Sequence, residues 1–519
     1  MGSNSNTLGN NNNVKKITLF QLIALSVAFY GSIRNVPTVA SAGWEAIFFM
    51  IAAGILFAIP ISLVAAELAT GWPQEGGPQV WVKEALGEKW SFVTAWLLWV
   101  QMFFGMVMVS SAFATMVAYM IGKPELAQNN KYIVVVVIAT YWIVTLLNFK
   151  AKFGKWVSTF GAVIGIYIPF VILVVLGLWY AFTHGNVNLG PLTLSSAIPN
   201  LASISKLSFF SGIIFIFAGL EIASVHANDI ENPKKNYPVA VFITIGAMIV
   251  FNLLAGLTEA NAIPAKDIQL ATITQPFQLY FNELGIPFAT NIIAGMIAIG
   301  IFAQLSAWVL GPSKAMIKVA EDGNLPPVFQ KRNKDGIPVT FVLIQATVIS
   351  IVALLYIVVP QVNTGFFMIL ILTTIIYSIV YIFILLSEIL LKYKRADVKR
   401  AFEVPGGKVG MWITCGLAFI GVALTIIISF IPSSDIPQKD HMAYVAFQAI
   451  GTLICFVIPL IIFKFKKDSW KKISTNEASK TTSNSTTNAN NKEDNDKNNK
   501  TNNKNNFNNR NRHTPSIQH

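Results

Sequence analysis

The sequence LSFFSGIIFIFAGLEIASVHA, residues 207–227, is long and apolar enough to cross a lipid bilayer, yet it carries one carboxylate, Glu221. A charged side chain at the centre of a bilayer costs about 2.5–3.5 kcal/mol on insertion scales, so such residues are rare and usually functional. Gly219 precedes Glu221 by two residues, and glycine leaves helical geometry without a steric penalty. We therefore predict a membrane helix that breaks around Ala218 and Gly219.

A second interruption lies in the first hydrophobic segment of the chain, in YGSIRNVP, residues 30–37. Arg34 is the ionisable residue there. Gly31 permits unusual backbone angles, and Pro37 removes a backbone donor and restricts the residue before it. Apolar helices that are broken within the membrane and carry ionisable groups are typical of the binding sites of secondary transporters. The two stretches together predict one central binding site.

Each break offers backbone groups to a ligand. N–H groups at a helix N-terminus carry positive partial charge and suit a carboxylate, whereas exposed C=O groups suit an ammonium group. An amino-acid backbone has one of each, so two facing breaks would bind it. Arg34 and Glu221 allow two interpretations: they act on the substrate, or they pair with each other and hold two helices together.

Other polar side chains occur within apolar stretches, and most such residues form hydrogen bonds between membrane helices. Two of them, Gln101 and Gln304, are candidates for lining a cavity. Trp308 lies one turn from Gln304 on the same helix face and is a candidate gate, with packing as its alternative role. Tyr377 is a further cavity candidate.

Composition places the chain in a membrane. Of its 519 residues, 54% are hydrophobic and 12% are charged, whereas a soluble domain has about 25% charged residues. A helix needs roughly 20 residues to cross the hydrocarbon core. Charge-poor stretches of that kind predict an all-α membrane protein with about twelve transmembrane helices: 18–43, 46–66, 91–122, 132–149, 156–183, 207–228, 238–258, 286–313, 337–359, 364–387, 409–434 and 442–463.

The net charge of +13 is distributed unevenly over this predicted topology. With the N-terminus in the cytoplasm, 23 Lys and Arg residues up to Lys467 lie on the inner side and five lie outside. Because basic residues accumulate in cytoplasmic loops, we predict a multi-pass protein of the inner (plasma) membrane with both termini cytoplasmic. Membrane topology accounts for the basicity, so we predict no nucleic-acid partner.

No motif for catalysis or cofactor binding stands in a suitable context. Cys415 and Cys455 both lie in apolar stretches and form no CxxC motif, and the five histidines are scattered near span ends or in the tail. We therefore predict no enzyme activity, no metal site and no cofactor. A membrane enzyme and a non-transporting amino-acid sensor are the competing functional classes.

The predicted spans divide into two sets of five, 18–183 and 207–387, and each set begins with an interrupted helix. Because five is odd, the second set enters the membrane from the opposite face, which predicts an inverted repeat. The Asn-rich N-terminus and the Asn-, Lys-, Thr- and Ser-rich tail are predicted to be disordered. The predicted units are the N-terminus 1–14, the transport core 15–390, two peripheral helices 391–466 and the tail 467–519.

Several motifs stand in the order found in the amino acid–polyamine–organocation superfamily. Residues 219–221 (GLE) and 228–238 (NDIENPKKNYP) resemble its sixth-helix signature. Pro60, residues 65–68 (AAEL) and 75–82 (EGGPQVWV) resemble its second helix and first cytoplasmic loop. The similarity covers about residues 15–466. It is extended toward the glutamate/γ-aminobutyrate antiporter branch by 308–314 (WVLGPSK), 323–326 (GNLP) and 402–407 (FEVPGG).

This resemblance implies a LeuT-like fold, with two inverted five-helix repeats and two peripheral helices. It also implies a secondary active transporter that exchanges amino acids across the bilayer by alternating access. A proton-coupled amino-acid or amine permease is the alternative. The resemblance and the polar residues above give these substrate-binding candidates: Ile33, Arg34, Asn35, Val36, Ala218, Gly219, Glu221 and Gln304.

Two departures from the branch concern specificity and gating. Arg34-Asn35 stands where the acid-resistance antiporters carry a tyrosine and a glutamate, and Gln304 stands where they carry a glutamate. The tail does not resemble the folded plug that closes those antiporters, so acid gating by the tail is not expected. Oligomeric state is not predicted.

Overall fold

The computed structural model describes residues 18–23, 33–74, 77–149, 161, 163–199, 204–221, 230–433 and 436–471. The two predicted disordered termini lie largely outside these residues, as do Gly31 and residues 222–229 after Glu221. The secondary structure of the described part is helical. Its helices are α1 Val36–Ser41, α2 Glu45–Gly71, α3 Pro78–Leu86, α4 Glu88–Met120, α5 Asn130–Asn148, α6 Val163–His184, α7 Leu194–Ala197, α8 Ile204–Ile216, α9 Pro233–Ala262, α10 Gln275–Glu283, α11 Ala289–Glu321, α12 Val339–Val358, α13 Val362–Lys394, α14 Gly407–Ser429 and α15 His441–Lys464.

The long helices confirm the predicted fold class. Ten helices of the described part are long and apolar enough to cross a membrane: α2, α4, α5, α6, α9, α11, α12, α13, α14 and α15. The remaining two of the twelve predicted spans, 18–43 and 207–228, are the interrupted ones. In the described residues they appear as shorter pieces, 19–23 and α1 in the first and α8 in the second.

The helices differ in how much of their surface is covered by protein. In the most apolar windows of α4 and α13, 83% of the residues are buried, whereas only 17% are buried in α15. A membrane helix that buries few residues presents apolar side chains to lipid instead. The helices α4 and α13 therefore form the centre of the bundle, and α15 lies at its edge.

The packing pattern agrees with an inverted repeat. The third spans of the two sets, α4 and α11, pack against each other. The first helix of each set packs against the second helix of the other, α1 on α9 and α8 on α2. Likewise the fifth helix of each set packs against the third of the other, α6 on α11 and α13 on α4. Each of these contacts therefore has a counterpart in which the two sets trade places. This is expected for two repeats related by an axis in the membrane plane.

Glycine allows the closest of these crossings. A Cβ atom on Gly165 in α6 would lie 2.3 Å from the Cα atom of Gly300 in α11. Small residues at such crossings let membrane helices approach closely. Gly165 also belongs to a π-helical turn, Val163–Tyr167, and α2 contains a second one, Gly54–Ala58. The hydrophobic pattern gave no sign of either turn.

Connections between the helices lie on two faces of the bundle. We call the face with residues 121–129, 185–199 and 263–288 face A, and the face with 77–87, 322–338 and 395–406 face B. At face B the chain continues past α15 as a short 3₁₀ turn, Asp468–Trp470. The Gln330 Nε2 atom donates to the Trp470 carbonyl oxygen at 2.7 Å. Trp470, which the sequence placed in the tail, thus contacts the connection between α11 and α12.

Candidate functional site

The first break is a change of helix type rather than an open loop in the described residues. A 3₁₀ turn, Ile33–Asn35, runs directly into α1. Asn35 has α-helical backbone angles and its side chain does not cap α1, while Ile33 and Val36 are buried. Of these four predicted residues, Arg34 is the one with a charged side chain. A role for the other three would rest on their backbone groups or on packing.

The second break lies where the sequence predicted it. Helix α8 ends at Ile216, residues 217–219 form a turn, and residues 220–221 begin a 3₁₀ turn. Gly219 has φ +97°, a backbone angle that residues with a Cβ atom rarely adopt. Ala218 lies in the turn, half-buried. The glycine therefore allows the chain to change direction immediately before Glu221.

Two tyrosines of α13 bind the Glu221 carboxylate, which is 1% exposed. The Tyr377 hydroxyl donates to Oε1 at 2.5 Å and the Tyr381 hydroxyl donates to Oε2 at 2.8 Å. The Tyr381 oxygen also accepts a hydrogen bond from the Gly219 N–H at 2.8 Å. The two phenol rings stack with their centroids 4.9 Å apart. Helix α13 thus fixes both the carboxylate and the backbone at the second break.

Tyr381 was not among the predicted site residues, although Tyr377 was. The two are four residues apart, which places them on the same face of α13. That spacing is visible in the sequence, but it does not predict which other segment packs against this face of α13.

Arg34 lines a small cavity that Glu221 does not line. The cavity holds about 20 Å³, enough for a single water molecule, and Gln304 of α11 lines it together with Arg34. The guanidinium carbon of Arg34 lies 5.7 Å from the ring centroid of Trp308, a cation–π arrangement. Within the described residues, the buried Nη1 atom of Arg34 has no hydrogen-bond partner.

The structure does not bring Arg34 and Glu221 together as an ion pair. Among the ion pairs of the described residues, none joins these two side chains, and the Glu221 oxygens accept hydrogen bonds from α13 instead. The interpretation that they serve only to hold two helices together is therefore not supported by this geometry.

The remaining cavity candidates occupy different places. Gln304 lines the cavity, and Trp308 covers the Arg34 guanidinium. Gln101, in contrast, is buried within α4, and its Nε2 atom donates to the Leu98 carbonyl of the same helix at 3.3 Å. It is not part of the described cavity lining. Tyr377 is bound to Glu221.

A segment that the sequence did not single out closes the cavity toward face A. Residues 270–273, between α9 and α10, supply Leu270, Ala271 and Ile273 to its lining. The Thr115 hydroxyl of α4 donates to the Ala271 carbonyl at 2.7 Å, and the Leu270 N–H donates to Asn363 Oδ1 at 2.8 Å. We call residues 270–273 the cover segment. Its hydrogen bonds to α4 and α13 hold it over the site.

A larger cavity opens above α1 at face A. It has a volume of about 510 Å³ and is lined by both polar and apolar residues of α1, α2, α9 and the 185–199 connection. Ala40 and Ser41 of α1 lie on one side and Ala260 of α9 on another. We call it the face A cavity. It shares no lining residue with the small cavity at Arg34.

A cluster of ion pairs lies at face B. The buried Glu67 carboxylate of α2 forms ion pairs with Lys392 of α13 and with Arg400. Its second oxygen accepts the Val404 N–H at 2.7 Å. Thr70 hydrogen-bonds both backbone groups of Phe402. These bonds bind the segment 400–404 to the end of α2. No group of three or more His, Cys, Asp or Glu residues suited to a metal ion occurs in the described part of the chain.

Comparison with known proteins gives consistent matches over almost the whole chain. A family model described as "Amino acid permease" matches residues 17–458. An uncharacterized transporter of Legionella pneumophila is 32% identical over 460 residues, which cover 88% of this chain and 98% of that protein. A glutamate/gamma-aminobutyrate antiporter of Lactococcus lactis is 32% identical over 471 residues, 87% of this chain and 91% of that one. A probable agmatine/putrescine antiporter of the same species is 24% identical, covering 91% and 99%.

Proposed function

Because the chain belongs to the amino acid permease family and is therefore a membrane transporter rather than an enzyme, we propose that it is an amino-acid antiporter that exchanges substrates by alternating access. The superfamily resemblance seen in the sequence is thereby confirmed. The proposed exchange is of the glutamate/γ-aminobutyrate type, in the plasma membrane, with face A outside and both termini in the cytoplasm.

One observation carries the proposal of an anionic substrate group: Arg34 presents a buried guanidinium nitrogen without a hydrogen-bond partner in the described structure. A buried donor that lacks a partner destabilises the protein, and a charged donor does so more strongly. A carboxylate would satisfy it, because guanidinium and carboxylate groups match in charge and geometry. Arg34 is thus proposed to bind a substrate carboxylate, with Gln304 beside it.

Glu221 is proposed to act at the second break. Its carboxylate is negative when ionised and lies next to the unwound backbone at Gly219, where a substrate ammonium group would be favoured. The tyrosine hydrogen bonds keep the carboxylate in place as the helix pieces move. An amino acid would then lie between Arg34 and Glu221, with its acidic and basic groups at opposite ends.

Polyamine exchange is the competing specificity, since one similar protein is a probable agmatine/putrescine antiporter. The Arg34 guanidinium in the cavity argues against it, because a dication would be repelled there. A proton-coupled permease is the competing mechanism. It predicts net uptake that follows a proton gradient, whereas an exchanger requires a counter-substrate.

The test is counterflow in liposomes that contain the purified protein, with radiolabelled amino acids and polyamines. Arg34→Gln removes the charge and should lower exchange of acidic amino acids by about 10- to 150-fold, the effect of a hydrogen bond to a charged group worth about 1.5–3 kcal/mol. Arg332→Gln is the matched control, because Arg332 is half-exposed and pairs with Glu321 at face B. Normal acidic exchange in Arg34→Gln, or exchange restricted to polyamines in the wild type, would contradict the proposal.

A further inference from the structure

A second buried carboxyl group lies outside the site described above, in α9. Glu259 is fully buried, and in the described structure neither of its side-chain oxygens has a hydrogen-bond partner. An ionised carboxylate without partners in an apolar interior is strongly unfavourable. A protonated carboxyl is much less costly to bury. The packing around Glu259 therefore accommodates the neutral acid.

Helices from both repeats meet at this point of α9. One turn before Glu259, Gly256 packs so tightly on α1 that a Cβ atom there would lie 2.5 Å from Val39. One residue before Glu259, Thr258 packs on Gly177 of α6, where a Cβ atom on the glycine would lie 2.4 Å from the Thr258 Cβ atom. These close contacts keep water away from Glu259 as long as α1 and α6 stay packed on α9.

Titratable side chains connect this region to face A. The Tyr280 hydroxyl of α10 donates to the carbonyl of Thr258, the residue before Glu259, at 3.0 Å. The Tyr280 and Tyr180 ring centroids are 5.4 Å apart, and Tyr180 stacks on His184 at 4.4 Å. His184 is half-exposed and lies 3.9 Å from Glu283.

The charged groups around Glu259 can be assigned element by element. Helix α1 has no titratable side chain, α6 contributes Tyr180 and His184, and α10 contributes Tyr280 and Glu283. Glu45 at the start of α2, and Lys266 and Asp267 after α9, lie at face A and are not buried. None of these groups forms an ion pair with Glu259 in the described structure.

We propose that Glu259 is a proton-binding site of the transport cycle, coupled to the movement of α1 away from α9. Ala260, the next residue, lines the face A cavity together with Ala40 of α1. When α1 leaves α9, water of that cavity reaches Glu259. A hydronium ion then transfers a proton to a carboxylate oxygen of Glu259. One O–H bond of the hydronium ion breaks, the O–H bond of the acid forms, and a water molecule remains. Return of α1 then encloses the neutral acid. This inference rests on the proposed function, because it assigns a proton to the same exchange cycle.

The first test does not depend on transport. Infrared difference spectroscopy compares the wild type with Glu259→Gln at neutral pH. A protonated carboxyl group has a C=O stretching band that a carboxylate lacks, so the difference spectrum should contain one band from Glu259. Glu283→Gln, which removes an exposed carboxyl near the same face, should leave that band unchanged. A wild type that shows no such band relative to Glu259→Gln holds an ionised Glu259, and the proposal is then wrong.

The second test measures transport of the same proteins in liposomes. If one proton moves with each exchange, a pH gradient across the liposome membrane changes the substrate ratio that the exchange reaches by up to about tenfold per pH unit. Glu259→Gln, which imitates the protonated form, should keep counterflow at equal pH and lose this dependence, whereas Glu283→Gln should retain both. Unchanged pH dependence in Glu259→Gln overturns the proposal. If the wild type exchanges no amino acid, the proposed function fails, while the infrared comparison still decides whether Glu259 holds a proton.

A further variant covers the case in which Glu259→Gln does not fold. Glu259→Asp keeps a carboxyl group that is shorter by one methylene. It should retain a protonated-carboxyl band and a pH-dependent exchange with a shifted midpoint. Absence of both in a folded Glu259→Asp protein would contradict the proposal as well.

Discussion

At the scale of single residues, ionisable groups in apolar sequence were the most informative signal. Arg34 and Glu221 stand out because a charge in a membrane helix has few structural reasons to be there. Their partners could not be predicted in the same way. Tyr381 and the cover segment reach the site only because α13 and the connection after α9 lie beside it in space. No local pattern encodes that proximity.

The separation of Arg34 from Glu221 leads to a double-variant prediction. Arg34→Gln and Glu221→Gln should each reduce exchange, and the combination should not restore it, because the two charges do not compensate each other in the described structure. Residues that act independently give additive free energies, whereas a direct pair shows a coupling energy. Exchange rates of the four proteins, each normalised to the amount in the membrane, give that coupling. Recovery of exchange in the double variant would show that the pair is structural.

Tyr381 and Tyr377 should differ in importance although both bind Glu221. Tyr381→Phe removes a donor to Glu221 and also an acceptor of the Gly219 N–H, so two buried hydrogen bonds are lost. A hydrogen bond contributes about 0.5–1.5 kcal/mol, and more when one partner is charged. Tyr377→Phe removes the hydrogen bond from the Tyr377 hydroxyl to Glu221. We expect a larger fall in thermal stability in detergent for Tyr381→Phe, measured against the exposed Tyr393→Phe. Equal effects of the two buried variants would contradict the asymmetry.

At the scale of the helices, hydrophobic length alone predicted the ten continuous spans. The two interrupted spans were recognised from their Gly, Pro and ionisable residues, and the described pieces end close to those positions. The π-helical turns in α2 and α6 were not predicted, because an inserted residue shifts the helix surface without changing its composition. Helix ends and turn types depend on tertiary contacts more than on the local sequence.

The crossing of α6 and α11 gives a prediction about packing. Gly165→Ala would place a Cβ atom 2.3 Å from the Gly300 Cα atom, so the two helices must separate. Overpacking of this kind costs typically about 1–3 kcal/mol. Gly246→Ala in α9 is the matched control, since no atom lies within 4 Å of its Cβ position. There the helix propensity of alanine should stabilise the protein slightly. Thermal unfolding in detergent measures both, and a stable Gly165→Ala protein would refute the close crossing.

At the scale of the whole molecule, the inverted arrangement was predictable from the odd number of spans in each set. The packing of the two sets could not be predicted. The contacts of α1 with α9 and of α8 with α2 join residues far apart in the sequence, and no local pattern indicates them. Residues 468–470 of the predicted tail form a 3₁₀ turn, and the Trp470 carbonyl accepts a hydrogen bond from Gln330 at face B. Residues 472–519 lie outside the described part, and their predicted disorder stays a prediction.

Orientation in the membrane can be tested directly. Lys266 at face A and Lys334 at face B are both exposed. Basic residues favour face B as the cytoplasmic side. We expect a cysteine at position 266 to react with a membrane-impermeant maleimide on intact cells, and a cysteine at 334 to react only after the membrane is opened. Both parent cysteines, Cys415 and Cys455, are buried and give a low background. Reaction of the cysteine at position 334 in intact cells would show that face B lies outside and that the predicted orientation is wrong.

The cover segment offers a way to measure how fast the protein opens when no substrate is bound. The Leu270 amide proton is bound by Asn363, and it exchanges with deuterium only when that bond breaks. An exchanger that opens readily while empty would lose its substrate gradient as a leak. Slow deuterium uptake at residue 270, accelerated by substrate, would therefore describe an exchanger that spends little of the cell's gradient on futile cycles.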